Sequence, residues 1–157
     1  MCTCWSRLFI FLLCGTLTVF LSGNAHATGD SMLINQLKDS ITKVRADVPS
    51  SIVRSEAAEQ LADIARRIDP KKVDDKTFAD LVSLLDIPDE SIRGWVAGAI
   101  GFLGPRARPA APALLKLLPE ADCLLGDVTS AGAIRLALKR IGVDPPPPTC
   151  STGRWHQ

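Results

Sequence analysis

Side chains able to do chemistry are scarce in this chain and poorly placed. Its two histidines, His26 and His156, stand near opposite ends of 157 residues. A Ser-His-Asp or Cys-His set needs a histidine held against its nucleophile by the fold, and no internal histidine can do this. The same shortage argues against a His-ligated metal. Carboxylate pairs such as Asp74-Asp75 fall at an expected helix start, where they complement the helix dipole. Cys2-x-Cys4 has a metal-binding look but lies inside an apolar leader. No catalytic residue, metal or cofactor is therefore expected.

Composition removes a further class. The chain is 46% apolar and 5% aromatic, with 18 basic and 17 acidic side chains. Residues 28–157 hold 17 of each sign, because Arg7 is the only charged residue before them. Nucleic-acid binders show a basic surplus and stacking aromatics; here 28–157 retain Phe78, Trp95, Phe102 and Trp155, without tyrosine. Lys139-Arg140 with Arg135 is too short a basic cluster for nucleic acid or a membrane surface.

The first 27 residues read as an export signal. Arg7 precedes the mostly apolar run Leu8–Leu21, and Ala25-His26-Ala27 puts small residues at −3 and −1 of a cut after Ala27. The alternative is an uncleaved anchor that tethers the domain to a membrane. A span needs about 20 apolar residues, and Cys14, Gly15, Thr16 and Thr18 dilute this one. Cleavage would leave a periplasmic or secreted chain without membrane contact and with two cysteines, Cys123 and Cys150. In an oxidising compartment these form one disulfide or remain two thiols.

Helical spacing runs through the rest, with no alternating strand pattern. Ile34, Leu37, Ile41, Val44 and Val48 make one stripe on a helix opened by Ser31 and ended at Pro49. A second helix, 51–68, carries Val53, Ala57, Leu61, Ile64 and Ile68; a third, 75–85, carries Phe78, Leu81, Val82 and Leu85. Asp89 caps a fourth with Ile92, Val96, Ala99, Ile100 and Leu103 inward, closed by Gly104-Pro105. A fifth covers 108–118, with Pro112 in its first turn or at a kink. A sixth covers 129–141 and stops at Gly142.

The even-numbered helices superpose. Val53, Ala57, Leu61 and Ile64 move by 39 residues onto Ile92, Val96, Ile100 and Leu103, and by a further 38 onto Ser130, Ile134, Leu138 and Ile141. Ala58 falls on Ala97 and then on Arg135. A period near 40 with two helices per unit marks an α-solenoid, because one hairpin cannot bury both of its apolar faces.

Asp89-Glu90-Ser91-Ile92-Arg93, followed by Val96-Ala97-Gly98-Ala99-Ile100-Gly101-Phe102-Leu103-Gly104, resembles the HEAT-repeat family, particularly its short bacterial members. The likeness continues through Ala107, Ala110, Ala111-Pro112 and Leu114 to Leu118. It is best over 75–118 and weakest over 31–68, and Ser130-Ala131 departs from the hydrophobe-Arg pair expected there. The resemblance implies an all-α fold, a short right-handed α-solenoid of about three hairpins over 28–142; the residues themselves add an extended Pro-rich tail over 143–157. Pro145–Pro148 favours extended chain, long enough to run back along the last helix and join Cys150 to Cys123.

HEAT-like proteins tie the Arg after the first apolar residue to an Asp of the preceding loop, which implies Arg93 with Asp89 or Asp86; Arg54 is its equivalent. Ligand binding is the other reading of Arg93. Trp95 and Phe102, seven apart on one face, either pack on the next repeat or anchor a protein partner. Trp155 is a free tail residue or a clip onto the stack. Residues 28–100 carry 10 basic and 13 acidic side chains and 101–157 carry 7 and 4, so the ends could associate head to tail. The expected function is non-catalytic protein–protein interaction, with Arg54, Arg93, Trp95 and Phe102 as contacts. The resemblance extends to HEAT-like units of proteins that attach bilin pigments, which makes a client- or chromophore-handling accessory the alternative.

Overall fold

Six α-helices follow one another in the computed structural model, which describes residues 22–46, 50–124 and 129–150, with side chains from Gly29 onward. They are α1 (Ser22–Arg45), α2 (Ser51–Arg67), α3 (Asp75–Ser83), α4 (Glu90–Phe102), α5 (Ala111–Cys123) and α6 (Ala131–Arg140). Tight 3-10 turns at Pro70–Lys72, Leu84–Asp86 and Gly104–Ala110 link them. Among the described residues there is no strand. Most of the expected export signal, residues 1–21, lies outside the described residues, as do Val48, Pro49 and Trp155.

Local chemistry sets the boundaries. Asp69, Asp74 and Asp89 each cap a helical segment by accepting a backbone N–H, from Lys71, Thr77 and Ile92, so that one of the free amide protons of each first turn finds a partner. Pro112 sits in the first turn of α5, where its missing N–H costs nothing. Gly104 and Gly142 adopt φ of +60° and +79°, the left-handed turn that ends a helix. Two expected boundaries move. α1 begins at Ser22 rather than Ser31, and α5 begins at Ala111 because Gly104–Ala110 winds more tightly.

α4 stands between α2 and α6, while α1 packs on α2, α3 on α4 and α5 on α6. One continuous core results, with Leu37, Leu61, Leu81, Ile100, Leu114 and Leu138 almost wholly buried. The superposed rows can be compared by depth. Ala57, Val96 and Ile134 are buried, as are Leu61, Ile100 and Leu138, and Ile64, Leu103 and Ile141. The first row differs: Ile92 and Ser130 are buried, but Val53 is 52% exposed. Ser55 Oγ meets Ser91 Oγ at 2.8 Å, an offset of 36 residues between α2 and α4.

The same offset governs the next junction. Ser55 faces Ser91, Gly94 lies by Ser130 and Gly101 by Ala137, each pair 36 residues apart. The offset holds at two points between α4 and α6, and beyond Ser55 and Ser91 the residues Glu59, Asp63 and Arg66 of α2 border a hollow with Trp95 and Phe102 of α4, so α2, α4 and α6 run in the same direction. Small residues let them approach: a Cβ built on Gly101 would lie 3.0 Å from Ala137 Cα and 3.3 Å from Ala137 Cβ. Ala58, Ala62, Ala65 and Ala97 are buried in the same row of helices.

Beyond α6 the chain folds back. Arg135 donates to the Pro146 carbonyl, Thr149 N–H donates to Asp122 Oδ2 at 3.2 Å, and Cys150 is disulfide-bonded to Cys123 with the Cα atoms 5.1 Å apart.

Gly101→Ala is expected to destabilise by about 1–2 kcal/mol, since overpacking against backbone outweighs the gain in helix propensity. Gly98→Ala, with nothing within 4 Å of its new methyl, should instead stabilise by about 0.5–1 kcal/mol. Thermal unfolding of the two variants checks this pair of opposite signs. Cys150→Ser frees a loop closed over 27 residues and should cost roughly 3–4 kcal/mol, or about 10 °C in melting temperature; an unchanged melting curve under reducing and oxidising conditions would contradict it.

Candidate functional site

The outward crests of α2, α4 and α6 form one face. Trp95, 39% exposed, and Phe102 stand on α4; Leu136, 48% exposed, and Arg140 stand on α6. Between them runs a groove of about 470 Å³ floored by Gly94, Gly98 and Ala137. The floor is low because glycine and alanine occupy the line where the two helices meet. Arg140 lies over the Phe102 ring, 4.6 Å from its centroid, a cation–π contact that holds a charge at the mouth of an apolar channel. On the other side of Trp95 and Phe102 a smaller hollow of about 250 Å³ is bordered by Glu59, Asp63 and Arg66 of α2.

The four contact candidates separate into two kinds. Trp95 and Phe102 share this face. Arg54 and Arg93 are committed inward: Arg54 Nε donates to the Val44 carbonyl and Arg93 Nε to the Leu85 carbonyl, each at 3.3 Å. Both arginines thus close the end of the preceding helix, where free carbonyls face a cation favourably. The expected partners of Arg93, Asp89 and Asp86, are not the ones used. Asp89 spends its carboxylate on the Ile92 N–H, 3.0 Å away. Arg93, its side chain 12% exposed, pairs with Glu90 at 3.0 Å and Glu120 at 3.5 Å.

Glu90 carries this network across the groove's end. Its Oε2 accepts from Ser130 N–H at 2.9 Å and Ser130 Oγ at 2.7 Å, while Oε1 accepts from Arg93. The carboxylate thereby sits at the amino ends of both α4 and α6. Partial burial pushes its pKa up, but the hydrogen bonds from Ser130 and Arg93 outweigh this and leave it lowered. Asp74 is held well below the usual carboxylate range by the Thr77 N–H, Lys38 and the Thr77 hydroxyl, and Lys76 lowers Asp80.

Sequence reasoning missed one polar pair. Asp122, nearly buried, accepts from Arg135 Nε at 3.3 Å and Nη2 at 2.6 Å, and from the Thr149 N–H. Its signal was present: Arg135 occupies the place of Ala58 and Ala97, and a long charged side chain at a small position implies a different neighbour. Among the described residues no three His, Cys, Asp or Glu side chains gather as a metal site.

A lowered carboxylate pKa stabilises the fold above the unfolded value and loses that contribution as pH falls through the folded one. For Glu90 the loss begins near the unfolded value of about 4.3 and runs downward. Glu90→Gln should therefore lower stability at pH 7 and show a shallower decline below about pH 5 than the wild type, read by urea unfolding at several pH values; parallel curves would refute the role given to Glu90.

Compared with family models, with characterised proteins and with solved structures, the chain matches none.

Proposed function

We propose that this chain is an exported HEAT-like repeat module, a short right-handed α-solenoid of about three helical hairpins, that binds another protein through the face of α2, α4 and α6. The pairing of α1 with α2, α3 with α4 and α5 with α6 supports the repeat reading, as do three superposed rows at common depth and one register at both junctions. The Pro-rich tail then serves as the cap of the last unit, a role for which a terminal repeat needs a special solution. Export accounts for the apolar leader, removed after Ala27. The disulfide is compatible with an oxidising compartment, and among the described residues no helix is long and apolar enough to cross a membrane.

The observation that carries the binding role is the groove itself. Trp95, Phe102 and Leu136 flank it, and a centrally placed, partly exposed tryptophan is the residue type that most often dominates an interface. The mechanism is shape and apolar complementarity on a rigid row of helices, without chemistry. The polar groups around the groove do not converge on a point, as a chromophore-handling site would require: Glu90 is occupied by Ser130 and Arg93, and Arg140 by Phe102. Arg54 and Arg93 act as struts behind the face.

A photo-crosslinking amino acid placed at Trp95 in living cells should trap a protein identifiable by mass spectrometry, whereas one at the exposed Lys116 of α5 should not. Equal trapping at both positions would sink the assignment of the face.

A further inference from the structure

We infer that the face of α2, α4 and α6 self-associates, taking a second copy of this chain as its partner in a two-fold, face-to-face dimer with the helices antiparallel. This rests on the reading of that face as an interface and commits to its occupant by charge and height. α2 presents Glu59 and Arg66 to the aromatic crest of α4, one on either side of Asp63. Glu59 makes no ion pair among the described residues, whereas Asp63 is already held by Arg66 and Arg67. The register of 36 residues between neighbouring helices sets Glu59 level with Trp95 and Arg66 level with Phe102. An acid and an aromatic thus share one height, and a base and an aromatic share another, two helical turns or about 10 Å further along.

Symmetry turns that order into a prediction. In a two-fold dimer one patch meets itself, and the axis can lie in the interface either along the helices or across them. An axis along α4 puts α2 of one copy over α6 of the other at equal heights. Arg66 and Arg67 then approach Lys139 and Arg140, while Glu59 falls on the level of Ala131 and Gly132 and meets no cation. An axis across the helices, midway between Trp95 and Phe102, puts each helix over its own copy in the opposite direction. Glu59 then lies over Arg66 of the second copy, and Trp95 over Phe102. On α6 the same axis sets Leu136 over Ala133 and Arg140 over Thr129, four residues that line the groove. Only this second arrangement brings opposite charges together, and it does so twice. Three helices about 9 Å apart and about three to five turns long bury an area in the class of weak, reversible interfaces, so salt should loosen the contact.

Sedimentation of the purified, disulfide-intact chain from about 10 µM to about 1 mM tests the proposal. The wild type should move toward twice its mass at the upper end, less so in about 1 M salt. Glu59→Arg alone and Arg66→Glu alone should each stay monomeric, because each sets like charges together at both contacts. Mixed in equal amounts, the two variants should recover a dimer, since the introduced arginine of one copy meets the introduced glutamate of the other and the two native side chains pair at the second contact. That recovery also shows that the single variants were folded. A wild type that is monomeric throughout, single variants that dimerise as the wild type does, or a mixture that stays monomeric would overturn the dimer. If trapping at Trp95 then yields a different protein, the face remains an interface and only its self-pairing falls.

Discussion

The structure depends on how closely α4 and α6 can lie together. At Gly101 a methyl group would press on the backbone of Ala137 at 3.0 Å, while at Gly94 it would meet Ser130 at an ordinary contact distance of 4.0 Å. Close approach has two results. It buries the backs of both helices in the shared core, and it drops the line between their crests into a trough that Trp95, Phe102 and Leu136 overlook. Packing and site are products of one constraint, so a substitution that spreads the helices would reshape the groove as it weakened the fold.

Polar groups make that approach specific. Apolar stripes spaced by three and four would tolerate a slip of one turn along the helix axis. Glu90 does not, because its carboxylate must find both protons of Ser130 at the amino end of α6 while Arg93 holds its other oxygen. Arg93 in turn is fixed by the Leu85 carbonyl, and so the turn after α3 is tied to α4 and α6 through two side chains. The pair is partly buried, where breaking one partner costs more than the pair itself contributes.

Much of this fold could be read from residue spacing. The stripes of Leu37, Ile41 and Val44, of Leu61 and Ile64, and of Ile92, Val96 and Ile100 are buried as a 3.6-residue period requires, and Gly104 and Gly142 turn the chain where expected. What spacing could not supply was long-range. Val53 has the right type and period, yet it is 52% exposed. Arg93 pairs with Glu90, Glu120 and a carbonyl while Asp89 caps α4; the cap was legible in the sequence, but the nearness of Glu120 and of the Leu85 carbonyl was not. Of the candidate contacts, Trp95 and Phe102 were found by their seven-residue spacing, whereas Leu136 and Arg140 come from a helix whose nearness to α4 no local pattern encodes.

Arg135 departs from its equivalents. At Ala58 and Ala97 the same position is small and buried. At Arg135 the guanidinium reaches Asp122 and the Pro146 carbonyl, while Thr149 and Cys150 are held by Asp122 and Cys123. That flank of α6 is thereby strapped shut: anything that would dock there must first displace a segment fastened by an ion pair and by a covalent bond.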